Sequence, residues 1–385
     1  MRPPADRSSE GFPLRGSPFG RKWDVAVIGA GFAGASTAWW LRRAGVGSVA
    51  LLEREGTPGA RASGRNAGIA RVAIADAPTA ELAHRSVAFL SSPPVGFTPR
   101  PLFEPSGGIL LASEEGVSGL VDVLDASEKA GVSALPMNRA EILDRVPFLE
   151  DSPFLESALS PSDGLVDIHG LLQAYLRGMD LFTSSAVTGW ERSGSRIVAA
   201  ELEGGRLEAD HFVLACGAWS AELGALAGTF DLPLEPRRRH LIHTGRLDWV
   251  DPAIPYVWHL GPDVYFRPES GGLLLSPCDE EIFHSGDVPA DSEAPVWLYE
   301  RLERAFPKLK DVPAARVWAD VRCFVPDARF VIGSDPLLEN LAWVCALGGH
   351  GMTCSAAAGE LAAALILGEE PPVDPAPFDP ARLFP

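Results

Sequence analysis

Residues 24–34 read DVAVIGAGFAG, and the rest of the chain is best understood from them. Val25, Val27 and Ile28 form a short apolar run of the kind that makes a buried parallel strand, and Gly29-Ala30-Gly31-Phe32-Ala33-Gly34 follows at once as G-x-G-x-x-G. The three glycines act differently. Gly29 permits the tight turn, Gly31 lets the backbone approach a pyrophosphate, and Gly34 lets the next helix lie close to the strand. That helix is expected over Phe32 to Ala44, which contains no proline, with its first N–H groups aimed at the phosphates. A second strand, Val49 to Leu52, ends at Glu53, about 20 residues beyond the last glycine, where a carboxylate accepts hydrogen bonds from the adenosine ribose hydroxyls. Glycines alone also mark ordinary turns in unrelated α/β folds. Strand, helix and acid together specify a dinucleotide site.

The 385 residues are enough for two or three domains, and a hydrophobic share of 46% with 22% charged is that of a globular chain. A net charge of −18 argues against nucleic acid or an anionic membrane surface as partner. The 5 cysteines, Cys216, Cys278, Cys323, Cys345 and Cys354, contain no C-x-x-C pair, so neither a disulfide framework nor a zinc site is expected. The 8 histidines show no ligand spacing with a nearby acid, and no metal is expected. Residues 1–21 are rich in Pro, Gly, Ser and Arg without an apolar core, and read as a disordered tail and not a signal peptide. No apolar run is long enough to span a bilayer. Cytoplasm is the expected location.

Beyond Glu53, the glycine- and arginine-rich link 54–71 reads as a loop able to wrap a cofactor with backbone amides, followed by a helix over Pro78 to Leu90. From Phe97 to about Leu165 proline punctuation, a strand at Gly108 to Ala112 and helices over Glu114 to Ala130 and Arg139 to Arg145 suggest an excursion. A helix capped by Asp167 resumes the first unit, with short strands at Ala186–Glu191, Ile197–Leu202, Arg206–Ala209 and Phe212–Ala215. A second excursion holds strands at Arg239–His243, Tyr256–Leu260, Val264–Arg267 and Leu273–Ser276 and a helix at Ala294–Phe306. Strands at Phe330–Ile332 and Leu341–Val344, a glycine turn at 348–351 and a helix at Ser355–Leu367 close the chain. The expected fold is thus α/β, a Rossmann-like dinucleotide-binding domain (22–96, 166–231 and 318–370) interleaved with a smaller α+β substrate domain on an antiparallel sheet (97–165 and 232–317). Residues 371–385 form a C-terminal tail.

The chain resembles the D-amino acid oxidase superfamily of flavoproteins, through VIGAGFAGASTAWWLRRAG at 27–45, LLERE at 51–55, SGRNAGI at 63–69, LACGAWS at 214–220, VRCFVPDARFVIG at 321–333 and GGHGM at 348–352, in that order. Within it, SPPVGF at 92–97 and DGLVDIHGLLQAYLRG at 163–178 are most similar to the D-arginine dehydrogenase and glycine oxidase branch. The resemblance implies noncovalent FAD, with the Cα hydride of an amino acid passing to the flavin. It places Gly29, Gly31, Phe32, Ala33, Gly34 and Glu53 on the ADP half, and Arg54, Ser63 and Arg65 towards the pyrophosphate and ribityl chain. Asn66, Ala67 and Gly68 would stand by the isoalloxazine, Val187 by the adenine, and Gly217 with Trp219 near the phosphates. Gly348, Gly349, Gly351, Met352 and Thr353 would form the loop over the flavin. Arg322 falls where the family grips the substrate carboxylate, and Tyr265 on a strand that lines the pocket.

Several positions depart from that pattern. A glutamate that selects cationic side chains is here Gly108, and two pocket residues that are His and Tyr are Ile69 and Ile74. Cys323 lies out of register with the flavin-linking cysteine of monomeric sarcosine oxidase, and the lysine that promotes oxygen reactivity there falls near Leu274, so quinone or oxygen remains open as acceptor. Arg322 has a second reading, as an ion-pair partner of Asp320 or Asp327. Of Arg237, Arg238 and Arg239, two are expected in solvent and one turned inward. His350 either accepts a proton from the substrate ammonium or hydrogen-bonds the ring. Trp219, Trp258 and Trp318 read as core or pocket wall. The functional reading is an FAD-dependent amino acid dehydrogenase or oxidase acting on a small carboxylate-bearing amine. A 2-hydroxy acid dehydrogenase of the same fold, a nicotinamide enzyme, and a non-catalytic or RNA-modifying flavin protein are the alternatives.

Overall fold

The strand Lys22–Ile28 sits inside an eight-stranded sheet because both its faces are covered, which is why its apolar run does not alternate. It pairs in parallel with Val49–Leu52 on one side and with Gly205–Leu214 on the other. Asp180–Phe182 extends the parallel set beyond Val49–Leu52, and Leu341–Cys345 adds to Gly205–Leu214. An antiparallel pair, Val187–Ser193 and Arg196–Leu202, flanks the sheet. The helices Phe32–Arg43 and Ser355–Leu367 cross one face and bury small residues between them: a Cβ on Gly359 would press against Ser36. The computed structural model describes residues 17–284 and 286–384. The expected tail at 1–21 therefore lies outside the described residues except for 17–21.

A nine-stranded sheet carries the second unit, in the order Glu281–Ile282, Glu235–His243, Gly272–Ser276, Val264–Glu269, Tyr256–His259, Gly108–Ala112, Glu156–Ser160, Leu135–Pro136. Arg316–Phe324 joins it along the whole of Glu235–His243. Its core is aliphatic and aromatic, with Ile109, Leu111, Val257, Phe266, Leu273 and Leu298 fully enclosed. A three-stranded sheet of Ile69–Ala70, Gly164–Val166 and Phe103–Glu104 lies apart from both.

Local patterns mislead where polar residues interrupt an element. Arg206–Ala209 and Phe212–Ala215 are one strand, Gly205–Leu214, because Asp210 and His211 stay extended beside Lys22–Ile28. Likewise, Glu235 to Arg238 belong to the strand with His240. The helix expected from Glu114 begins as a 3-10 turn, Glu114–Gly116, and is α only from Val117 to Lys129. The division placed at 318 falls within the strand Arg316–Phe324, and that at 166 within Gly164–Val166. The C-terminal residues are pinned down: Phe378 is buried against Phe330 and Arg382 pairs with Asp327 at 2.8 Å.

Candidate active site

Gly29 and Gly34 occupy the tight places expected of them. Gly29 adopts φ +105°, and a Cβ there would strike the carbonyl of Ala215 on the neighbouring strand. A Cβ on Gly34 would strike the carbonyl oxygen of Gly29, so the helix packs on the turn itself. At Gly31 a Cβ would lie 2.8 Å from Ser63 Oγ, and that hydroxyl accepts the Phe32 amide at 3.0 Å. Glu53 is buried, and its carboxylate accepts from Ala30 N at 3.0 Å and Glu55 N at 2.9 Å. Burial pushes its pKa above the ordinary value, the two amides pulling the other way.

Beside this turn lies a cavity of about 510 Å³. Gly29, Gly31, Phe32, Ala33, Glu53, Arg54, Ser63, Arg65, Val187, Gly217, Trp219 and Gly351 all face it, whereas Gly34 is packed beneath the turn and does not. Arg54 lies 4.1 Å over the Trp219 ring, holding the two walls together. Arg65 stands 3.4 Å from Asp320. The donor set suits FAD: an acid at one end, a helix N-terminus whose Gly31 cap has no side-chain partner, then arginines and a glycine turn.

A second cavity, of about 260 Å³, shares a wall with the first: Asn66, Arg322, Gly348, Gly349 and Met352 line both. Ala67, Gly68, Ile69, Tyr265, His350 and Thr353 face the second alone. The side chain of Arg267 donates to the Ala67 carbonyl, and Thr353 Oγ1 donates to the Ile69 carbonyl at 3.1 Å, fixing the loop on either side of Gly68. Gly349 is left-handed at φ +87°, and a Cβ on it would meet Arg322 Cδ at 2.9 Å. The turn is therefore glycine because the arginine passes beneath it.

Arg322 lies opposite Arg237 in the register of two antiparallel strands, so both project from one face of the sheet. The two acids near it in sequence are taken elsewhere: Asp320 by Arg65 and Asp327 by Arg382. Among the described residues the Arg322 guanidinium has no carboxylate or carbonyl partner. Burial and the adjacent Arg239 charge push its pKa down. Two of the three consecutive arginines are buried, not one: Arg238 is held by Glu281 and by Asp291 at 2.8 Å, and Arg239 by Glu280 at 2.6 Å and the Asp279 carbonyl at 2.9 Å. Alternation sends them to opposite faces, and each face offers acids.

Tyr265 is buried beside Ser276, and burial raises its pKa, so the phenol keeps its proton and can donate. His350 is pushed down to about 3 by burial and then by Arg71, Arg322 and Arg239. An imidazole so disfavoured as a cation is a weak base for an ammonium proton, which favours the hydrogen-bonding reading over the other. Between about pH 5 and 9, kcat/KM should show no ionisation that vanishes in His350→Asn. A limb lost in that variant alone would restore the proton-accepting role. Ile74 and Gly108 do not line the cavity; Ile74 is core, and a Cβ on Gly108 would enter the Tyr256 ring. Of the wall residues, Arg239 is expected from the sequence only as a member of an arginine run and Arg71 only as the end of the link 54–71. Strand alternation from Ile69 could have found Arg71.

A cavity at a dinucleotide-binding turn, sharing a glycine turn with a pocket lined by three arginines, is an arrangement that suits a flavin-dependent oxidoreductase. The chain belongs to the family of FAD dependent oxidoreductases (DAO), whose model matches residues 24–365. It is 30% identical to glycine oxidase of Pseudomonas aeruginosa over 93% of this chain and 98% of that protein. It is 25% identical to 4-methylaminobutanoate oxidase (formaldehyde-forming) of Paenarthrobacter nicotinovorans over 93% of this chain and 45% of that protein. The fold matches L-proline dehydrogenase from P. horikoshii with a TM-score of 0.86 and 23% identity, covering 95% of this chain and 98% of the other. Among the described residues no cluster of His, Cys, Asp or Glu is placed to hold a metal, and no helix is long and apolar enough to cross a membrane.

Proposed function

We propose that this protein oxidises the C–N bond of a small amine that carries a carboxylate, a D-amino acid or a secondary amino acid, to the imino acid. The observation that carries the reading is the unpartnered Arg322 guanidinium at the junction of the two cavities. A planar fork in that position binds a carboxylate through two parallel hydrogen bonds and so orients the carbon next to it. FAD, when bound, supplies the acceptor for the hydride that leaves this carbon. Tyr265 closes the wall and offers a proton to the substrate, and the neutral His350 adds no cation against the amine. The amine loses its N–H proton to water, and the imino acid is hydrolysed to an oxo acid and free amine. In this reading the parallel-sheet segments hold the cofactor and the nine-stranded sheet presents the substrate. Glycine oxidase among the relatives acts on an amino acid, which agrees with it.

Anaerobic bleaching of the yellow holoenzyme by a panel of D-, L- and N-methyl amino acids and 2-hydroxy acids tests the proposal. Bleaching by 2-hydroxy acids alone would replace it.

We take the cofactor to be noncovalent. Burial pushes the Cys323 thiol up to about 12, so it is not a thiolate at working pH. Acid precipitation should release FAD to the supernatant; yellow protein in the pellet would contradict this. Leu274, at the position where the resemblance puts an oxygen-activating lysine, carries no charge and is enclosed with Leu241, Tyr265 and Cys278. Turnover should accordingly be faster with a quinone than with oxygen, measured as peroxide against dye reduction.

A further inference from the structure

The second cavity holds another guanidinium without a counterion. Arg71 faces it from just past the strand Ile69–Ala70, its Cζ 4.3 Å from the centroid of the Trp258 ring. Its Nε is buried with no hydrogen-bond partner, and no ion pair reaches it among the described residues. The acids nearby are committed: Asp263 accepts from Trp258 Nε1 at 2.8 Å, and Glu280 holds Arg237 and Arg239. Asp163, near enough to feel the Arg71 charge, is occupied by Val72 N at 2.7 Å, Ser160 Oγ at 2.8 Å and the Tyr256 hydroxyl, and burial drives it towards its neutral form. Arg71 is half-buried, and a guanidinium in a cavity wall with no counterion is a place where a ligand can supply the missing charge.

Arg322 and Arg71 occupy different parts of this space. Arg322 also lines the cofactor cavity, whereas Arg71 lies with Trp258 in the part that the cofactor cavity does not share. We infer that Arg71 is a second anion site, and that the substrate carries a second carboxylate, on its side chain or its nitrogen substituent, which Arg71 binds while Arg322 holds the first. The inference rests on the amine-oxidising reading for the substrate but not for the anion site itself. Trp258 packs against the Arg71 guanidinium, and Arg239, neutralised by Glu280, does not compete for the anion.

Two measurements on the holoenzyme separate these points. Titration with non-reacting acids, followed by the flavin absorbance, should show succinate or glutarate binding at least about 30-fold tighter than acetate or butyrate. Arg71→Gln should lose that difference while its affinity for the monoacids changes less than about 3-fold, and Arg71→Lys should recover part of it. In turnover, kcat/KM should favour aspartate, glutamate or iminodiacetate over alanine or sarcosine, and Arg71→Gln should raise KM for the diacids with kcat little changed. Flavin content should not move, and the thermal midpoint of the ligand-free variant should change little, since no ion pair is broken. Equal binding of mono- and diacids by the parent, or equal losses on both in Arg71→Gln, would overturn the inference and assign both arginines to one carboxylate or Arg71 to the fold. Tight diacid binding dependent on Arg71, with no amine oxidised, would keep the anion site and discard the amine-oxidising reading.

Discussion

Replacing Arg322 by alanine is expected to cut kcat/KM for a carboxylate-bearing amine by about 30- to 5000-fold, the equivalent of roughly 2–5 kcal/mol for removing one partner of a buried charge pair. The size follows from the surroundings. Both acids near Arg322 in sequence are bound by other arginines, so the guanidinium is free to face the cavity. Without it, an incoming carboxylate would be desolvated with nothing opposite. Arg322→Lys should regain only part, because an ammonium cannot make the two parallel hydrogen bonds. The ligand-free variant should be no less stable than the parent, since the native cation has no partner to lose, and flavin content should be unaltered. An amine without the carboxylate should be a poor substrate for the parent and be hurt far less by the substitution. Equal losses on both amines would mean that Arg322 supports the fold or the flavin.

Glu53 gives the second large effect, on cofactor retention. Each charge-assisted hydrogen bond to a ribose hydroxyl is worth about 1.5–3 kcal/mol, and Glu53→Lys replaces the acceptor by a repelling donor. The carboxylate also accepts two backbone amides, so Glu53→Ala would disturb the turn as well as the cofactor. Glu53→Gln keeps the shape and one acceptor; it should bind FAD more weakly with a smaller loss of thermal stability, measured by flavin fluorescence on dilution and by unfolding without cofactor. The pH dependence has a definite sign. Burial raises the folded pKa above 4.5, so the apoprotein favours the protonated acid, while ribose hydroxyls donate to the ionised one. FAD affinity should therefore hold above the raised value and fall as pH drops through it, a dependence that Glu53→Gln should flatten. FAD held as tightly by Glu53→Lys as by the parent would remove the ribose assignment.

Much of the cofactor half was legible because local sequence controls it. Backbone freedom at Gly29, close approach at Gly31 and Gly34, and an acid at the end of the second strand are short-range constraints, so residues 24–53 specify the turn, the helix and the buried carboxylate. Strand lengths were less legible, since Asp210 and His211 remain extended only by pairing with a strand about 180 residues away in sequence. Charge pairing was least legible. Nothing in the neighbourhood of Arg322 says that Asp320 turns to Arg65 and Asp327 to Arg382, or that Arg238 and Arg239 both find acids while Arg71 finds none. Residue types and spacing determined that a dinucleotide would bind. Which guanidiniums stay unpaired where they line the second cavity was decided by the tertiary structure, because ion pairing depends on distances that only the packed sheets define.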